Sequence, residues 1–274
     1  MKNKTFSFIN IFGLAVGTLC CVYILVYVRD QYSYDKHHAG LNRIFRLDKK
    51  LKTPEGNYNL AISGGSFAPA MKRDFPEIEQ FTRVVPLIGI VKHILRYKNN
   101  SIYETDPFYV DSTFFDVFSY HFVEGNKTAL MSPYSVVLLK SVSDKLFGKE
   151  DPVGKTITID NTHGKTDYKV TGVVDESLGK SHLHGNIFIT MNSGGNGDYM
   201  LHTESWTNNN YIGTYFKPKP NADPVLLQKK FPAFVIKYGE KQLKTAGLEI
   251  QLYLQPVSSI HTTTDLKIRG SENR

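Results

Sequence analysis

Beyond residue 28 the chain has no cysteine, because its 2 cysteines, Cys20 and Cys21, are neighbours inside the first apolar stretch. Adjacent positions cannot form an ordinary disulfide, so the pair reads as small apolar filler and no disulfide supports the rest. Concentrated charge is also lacking. Of the 33 Lys and Arg, 31 follow residue 28, where all 26 Asp and Glu also lie, a formal excess of 5 spread along residues 29–274. Short groups such as Lys49-Lys50-Leu51-Lys52 and Lys229-Lys230 suit solvated faces and do not form a nucleic-acid track. The 16 Tyr and 17 Phe fall at strand-like spacing, which fits a core better than base stacking. Nucleic acid is therefore not an expected partner, whereas a membrane surface or an anionic ligand is compatible with the basic excess.

Catalytic signatures are missing as well. Gly148 to Thr156 (GKEDPVGKT) imitates a phosphate-binding loop, but five residues separate its glycines where that motif needs four. A helix is expected before it and a strand after it, the reverse of the order that aims a helix N-terminus at phosphate. His182 and His184 have the spacing of a metal pair, yet no nearby Cys or third His joins them, and they read as surface histidines before a strand. His37-His38 is a juxtamembrane pair with nothing alongside to complete a site. No G-x-S-x-G elbow selects a Ser/His/Asp set. The expectation is a protein that is not an enzyme, with no cofactor and no metal.

What the chain does have is a run without charge, Phe6 to Val28 (FSFINIFGLAVGTLCCVYILVYV). As a helix rising ~1.5 Å per residue it would be ~35 Å long, enough for a hydrocarbon core of ~30 Å. A cleaved signal peptide is the rival reading, but the run exceeds a usual h-region and no A-x-A-like site precedes Arg29. Lys2 and Lys4 lie before the run while Arg29 and Asp30 cancel after it, which favours a cytosolic start and an exported domain. Within the run, Gly13 and Gly17 form a small-xxx-small pair and Asn10 lies about one turn earlier, so these three are the candidate helix-packing residues.

The remainder alternates between strand and helix signals, predicting an α+β fold: one N-terminal transmembrane helix, then a mixed α/β domain. Phe45 and Leu47 alternate with Arg46 and Asp48, Thr53 to Asn57 makes a turn, and Tyr58 to Ile62 returns. Ser66 is placed to cap a helix ending before Pro76, and Asp111 to cap one carrying Phe114, Phe115 and Phe118. Strands are expected at Phe81–Val85, Val91–Tyr97 and Val136–Leu139, then a helix to Phe147 closed by Gly148. Lys155–Asp160 and Tyr168–Val174 read as a hairpin around Thr162 and His163, and Ile187–Thr190 as a strand. Ser193–Asn210 reads as a mobile loop. Tyr211–Lys217 is an expected strand, Asp223-Pro224 opens a helix that Pro232 kinks or restarts, and Leu248 to Leu254 is a half-buried strand.

These residues carry a resemblance. Lys4 to Gly17 (KTFSFINIFGLAVG) resembles the first transmembrane segment of MacB/FtsX-type ABC transporter permeases. Asp35-Lys36-His37-His38, Arg43 to Leu47, Pro76-Glu77-Ile78 with Arg83, and Val110 to Phe118 follow in family order. So do Glu124-Gly125, Ser135 to Leu138, Lys145 to Gly148, Asp151 to Lys155, and Leu254 to His261. The resemblance implies a MacB-like periplasmic core domain over residues 42–257. Its porter-like part would be 42–90 with 186–257, and its sabre-like insert 91–185. Residues 1–5 would be a cytosolic stub, 6–28 the span, 29–41 a juxtamembrane stalk, and 258–274 the lead-in to a second span.

By the same resemblance the chain is a non-catalytic permease subunit of an ABC-type exporter (efflux) or mechanotransmission complex in a bacterial inner membrane. Its expected partners are a cytosolic ATP-binding subunit, a second permease copy (homodimer or related permease), a periplasmic adaptor and membrane lipid. Family members carry an amphipathic helix before the first span and three further spans. Their absence here makes an N-terminal fragment the expectation. A single-span, membrane-anchored periplasmic ligand-binding or sensor protein is the alternative.

Overall fold

The computed structural model describes residues 4–86, 92–161, 164–207 and 211–261. Helix α1 (Lys4–Gln31) is continuous, and its charge-free stretch is exposed along its whole length. An uninterrupted apolar helix with no covered face is unlike a core helix and fits a span. A short stalk and a 3-10 turn (Leu41–Arg43) then lead into the domain.

The domain contains β1 (Phe45–Thr53), β2 (Gly56–Leu60), α2 (Phe67–Asp74), β3 (Ile78–Pro86), β4 (His93–Tyr97), β5 (Asn100–Glu104), β6 (Pro107–Val110), α3 (Phe114–Val117) and β7 (His121–Glu124). There follow β8 (Ser135–Leu139), α4 (Lys140–Phe147), β9 (Thr156–Asn161), β10 (Gly164–Asp175), β11 (Ile187–Thr190), α5 (Gly195–His202), β12 (Gly213–Pro218), α6 (Pro224–Gln228), α7 (Phe231–Ala246), β13 (Glu249–Pro256) and α8 (Val257–Ile260). All the strands join one mixed sheet in the order β13-β1-β12-β3-β6-β11-β8-β10-β9-β4-β5, with β2 added on β1 and β7 on β10. Most neighbours are antiparallel, while β8 with β10 and β6 with β11 are parallel.

Strand parity sends side chains to two cores. On β1, Leu47 points into a cluster with Phe67 and Met71 of α2, Phe231 and Phe234 of α7, and Phe216 of β12. Arg46 and Asp48 point the other way, and Arg46 is register partner to Tyr215, which lies in the second, larger core. That core gathers Phe114, Phe118, Val137, Leu146, Ile157 and Phe188 under α3 and α4. The period-two alternation thus fixes which β1 and β12 residues meet the stalk side of the sheet.

Several local expectations are met in detail. Asp223 Oδ1 accepts from the N–H groups of Val225 and Leu226, and Pro224 begins α6. Gly148 closes α4 at φ 64°, and the false phosphate loop is the turn from α4 into β9. Other expectations give way. The Ser193–Asn210 segment is not wholly loop but contains α5, which buries Met200 in a small cluster with Val85, Met191 and Ile212. Asp111 does not cap α3; its carboxylate takes three bonds from Arg83, at the backbone N–H (2.7 Å), Nε (2.9 Å) and Nη2 (2.8 Å). Ser66 precedes α2, but its hydroxyl donates to Ser205 O instead of capping. Lys49 is not solvated. It shares the Leu47 face of β1 and is 2% exposed. The expected start of a strand at Val91, the turn residues Thr162 and His163, Asn208–Asn210, residues 1–3 of the stub and 262–274 of the lead-in lie outside the described residues.

Candidate functional site at the stalk–domain junction

The stalk meets the domain through Asp35, a residue at positive φ (62°) whose side chain is 1% exposed. Its backbone N–H donates to Lys180 O at 2.8 Å, which draws it against the β10–β11 connection. Asp35 Oδ1 accepts from Ser181 Oγ (2.8 Å) and the His182 N–H (3.1 Å), and Oδ2 lies 2.9 Å from His182 Nδ1. With Nδ1–H turned to the carboxylate, His182 Nε2 is left to accept from the Tyr215 hydroxyl at 2.9 Å. His38 Nδ1 lies 3.1 Å from the Ser119 N–H and 3.2 Å from Ser119 O, while its Nε2 faces Asp35 Oδ1 at 3.4 Å.

Burial alone would raise the Asp35 carboxyl, but the His182 and His38 rings and the Ser181 hydroxyl beside it hold it well below the usual carboxylate range. Burial lowers His182 and outweighs the upward pull of Asp35, so that ring stays neutral. His37 is lowered to about 4, by burial first and by the neighbouring His38 second. Beyond Tyr215, the Arg46 guanidinium is gripped by Asp48 at Nε–Oδ1 2.6 Å and Nη2–Oδ2 3.1 Å, which keeps it charged although burial works against it. A chain of polar groups therefore runs from the stalk through Asp35, His182 and Tyr215 to the centre of β1.

The rim of the junction is built from the same segments. Lys180 Nζ pairs with Asp30 Oδ1 at 2.6 Å and lies 5.6 Å above the Tyr34 ring, which stacks on His261 at 3.6 Å between centroids. The end of α1, the β10–β11 connection and the chain after α8 thus converge on one spot.

This arrangement can hold a carboxylate rigidly. A second trio, Ser177, His121 and Asp175, has hydrolase residue types but not hydrolase geometry. Asp175 Oδ1 (3.0 Å) and Ser177 Oγ (3.3 Å) both approach the same nitrogen, His121 Nδ1, and Ser177 donates to Asp175 directly at 2.6 Å. A relay needs serine and aspartate on opposite ring nitrogens. Among the described residues, no group of three or more His, Cys, Asp or Glu is arranged to hold a metal ion.

The residues singled out on α1 are placed apart from this junction. Asn10, Gly13 and Gly17 are exposed at helical spacing, and nothing lies within 4 Å of a Cβ built at Gly13 or Gly17. The junction residues were only half visible in the sequence. The His182 side chain is 7% exposed between Asp35 and Tyr215 and is not that of a surface histidine, and the His37-His38 pair is packed on Phe118 through His38 (5.1 Å). The one signal was the repeated placing of histidines beside the span and just before β11.

Comparison with known proteins supplies the context for this geometry. The family model of the MacB-like periplasmic core domain matches residues 7–234. A crystal structure of a domain assigned to a permease protein of Porphyromonas gingivalis shares the fold, with TM-score 0.66 and 20% identity over 87% of this chain and 94% of that one. The periplasmic region of MacB from Actinobacillus actinomycetemcomitans aligns with TM-score 0.48 and 16% identity, over 81% of this chain and 94% of that one. The extracellular domain of the noncanonic ABC-type transporter YknZ from Gram-positive bacteria aligns with TM-score 0.44 and 16% identity, over 77% and 99%. No curated protein matches the sequence. With the family model covering most of its length, the chain belongs to the MacB-like periplasmic core domain family, that of MacB/FtsX-type permeases.

Proposed function

We propose that this chain is the N-terminal part of a non-catalytic permease subunit, in which α1 crosses the inner membrane of a bacterium and the domain lies in the periplasm. An ATP-binding subunit on the cytosolic side moves α1, a second permease copy is a partner, and other spans of the complete protein pack on the face of Asn10, Gly13 and Gly17. A periplasmic adaptor is a further partner. Within the domain, residues 42–90 with 186–257 act as the porter-like part and 91–185 as the sabre-like insert. The work done is export or mechanical signalling.

The observation that carries this reading is the burial of Asp35 in the Lys180–His182 segment. A tether would need no such joint, because a flexible linker holds a domain equally well. A lever needs one, since the stalk cannot slide on the domain without stripping partners from a buried carboxylate, at a cost of roughly 3 kcal/mol or more. The test is a full-length permease carrying Asp35→Asn, assayed with its ATPase. Coupling through the joint predicts that hydrolysis persists while work per ATP falls. Unchanged work per ATP would favour the tethered ligand-binding reading.

A further inference from the structure

Leu178 stands 45% exposed in the turn from Glu176 to Gly179, closed by a bond from the Gly179 N–H to Glu176 O (3.1 Å). A single exposed leucine needs no explanation by itself. This one belongs to the turn that grips the exit of α1. Gly179 has φ +138°, and a Cβ there would meet His37 Nδ1 at 3.2 Å, so the turn is pressed on the stalk. One residue further, Lys180 is bonded to Asp30 at 2.6 Å.

These contacts fix the depth of the turn. Asp30 lies two residues beyond Val28, the last of the charge-free run, or ~3 Å along a helix axis. Headgroups add roughly 5–7 Å on each side of the hydrocarbon core, so a span that fills the core carries Asp30 and Lys180 into the headgroup layer. The surroundings match that layer. Tyr27 (56%) and Tyr32 (58%) present exposed amphipathic rings. Arg29 and Lys36 are exposed and form no ion pair among the described residues. Asp175 and Glu176 flank the turn on the domain side, which limits entry to its tip.

We propose that the Glu176–Lys180 turn is a second membrane contact: Leu178 and Tyr32 lie among the phospholipid headgroups of the leaflet from which α1 emerges, while Arg29 and Lys36 meet lipid phosphates. This rests on the reading of α1 as a span. Two contacts fix the tilt of the domain over the bilayer where one would leave it free to swivel.

The test uses the full chain in phosphatidylcholine–phosphatidylglycerol vesicles, with Cys20→Ser and Cys21→Ser and one nitroxide at a time on Tyr27→Cys, Leu178→Cys or Tyr103→Cys. Tyr103 is exposed on β5, at the far end of the sheet. Collision with a water-soluble nickel chelate should be least at position 27, and at least about twofold lower at 178 than at 103, because headgroup depth excludes the chelate. To remove any bias from the label at 178, Leu178→Asp is combined with a nitroxide on Tyr32→Cys; nickel collision at 32 should then rise by about twofold as the turn lifts. Equal nickel collision at 178 and 103, with 27 protected, would overturn the contact and leave the span standing. So would a Leu178→Asp change that leaves position 32 unaltered. Equal collision at 27 and 103 would remove the span, and the contact with it.

Discussion

Asp35 and His182, 147 residues apart in sequence, meet with carboxylate oxygen and ring nitrogen 2.9 Å from each other inside the joint between stalk and domain. Replacing Asp35 by Ala strips acceptors from the Ser181 hydroxyl and the His182 backbone and removes the carboxylate beside the His182 ring. Two orphaned donors and a lost ionic contact at a buried site predict a loss of roughly 3 kcal/mol. Urea unfolding of the full chain in detergent checks this, and Asp35→Asn should retain part of the loss because it keeps one acceptor oxygen.

The joint also predicts acid sensitivity in two windows. His37 and His182 have lowered pKa values in the folded state, His37 at about 4 against an ordinary 6.5. The unfolded chain binds those protons first, so stability falls as pH drops from about 6.5 towards 4. The Asp35 carboxyl is lowered too, and its contribution, full above an ordinary 3.8, is lost only as pH falls through its lower folded value. Denaturation midpoints between pH 7 and 4 should fall less steeply in His37→Gln, and still less steeply when His182→Gln is added.

Lys49 predicts a gain of stability with rising pH on the alkaline side. Burial lowers its ammonium to about 8 from 10.5, and no carboxylate pairs with it among the described residues. Lys49→Met should stabilise the domain at pH 7 by roughly 2–3 kcal/mol. Between about pH 8 and 10.5 the unfolded chain holds the proton that the folded chain has lost, so the wild type gains stability with rising pH. The Met variant should lack that gain, as melting curves across the range would report.

How much of this was legible in the sequence depends on whether a signal was local. The β1–β2 and β9–β10 hairpins follow from period-two patterns, and α6 from the capping Asp223, because each is decided within a few residues. Parity also put Lys49 on the face of Leu47, although a run of lysines reads as solvated. By contrast, α5 grows from Gly- and Asn-rich sequence because Arg83 Nη1 donates to Met200 O (2.9 Å) and Gly65 O (2.8 Å), ties that no local pattern carries. The Asp35–His182 joint is equally non-local: DKHH was recognisable as a family string, while its partner His182 reads on its own as a surface histidine before a strand.

Arg83 accordingly yields its own prediction. Its guanidinium holds both oxygens of Asp111 and two backbone carbonyls while 3% exposed. Lysine cannot reproduce that fork, so Arg83→Lys should cost roughly 2 kcal/mol and Arg83→Ala roughly 3–5 kcal/mol, the latter leaving Asp111 a buried lone charge. Hydrogen exchange should quicken first in α5.

In a full-length permease, Gly13→Leu with Gly17→Leu should lower transport while the melting of the domain is unchanged. Bulk at those positions blocks close helix approach and touches nothing in the domain. Transport untouched by both changes would make α1 a passive anchor.

The most direct measurement is the distance between nitroxides on Tyr32→Cys and Tyr103→Cys in the full chain, with Cys20 and Cys21 replaced by Ser. Both positions are exposed, one at the exit of α1 and one at the far end of the sheet. A stalk locked by Asp35 predicts a single narrow distribution that broadens in Asp35→Ala. A distribution equally broad with and without Asp35 would mean that α1 hangs free of the domain, and no motion could pass from one to the other through this joint.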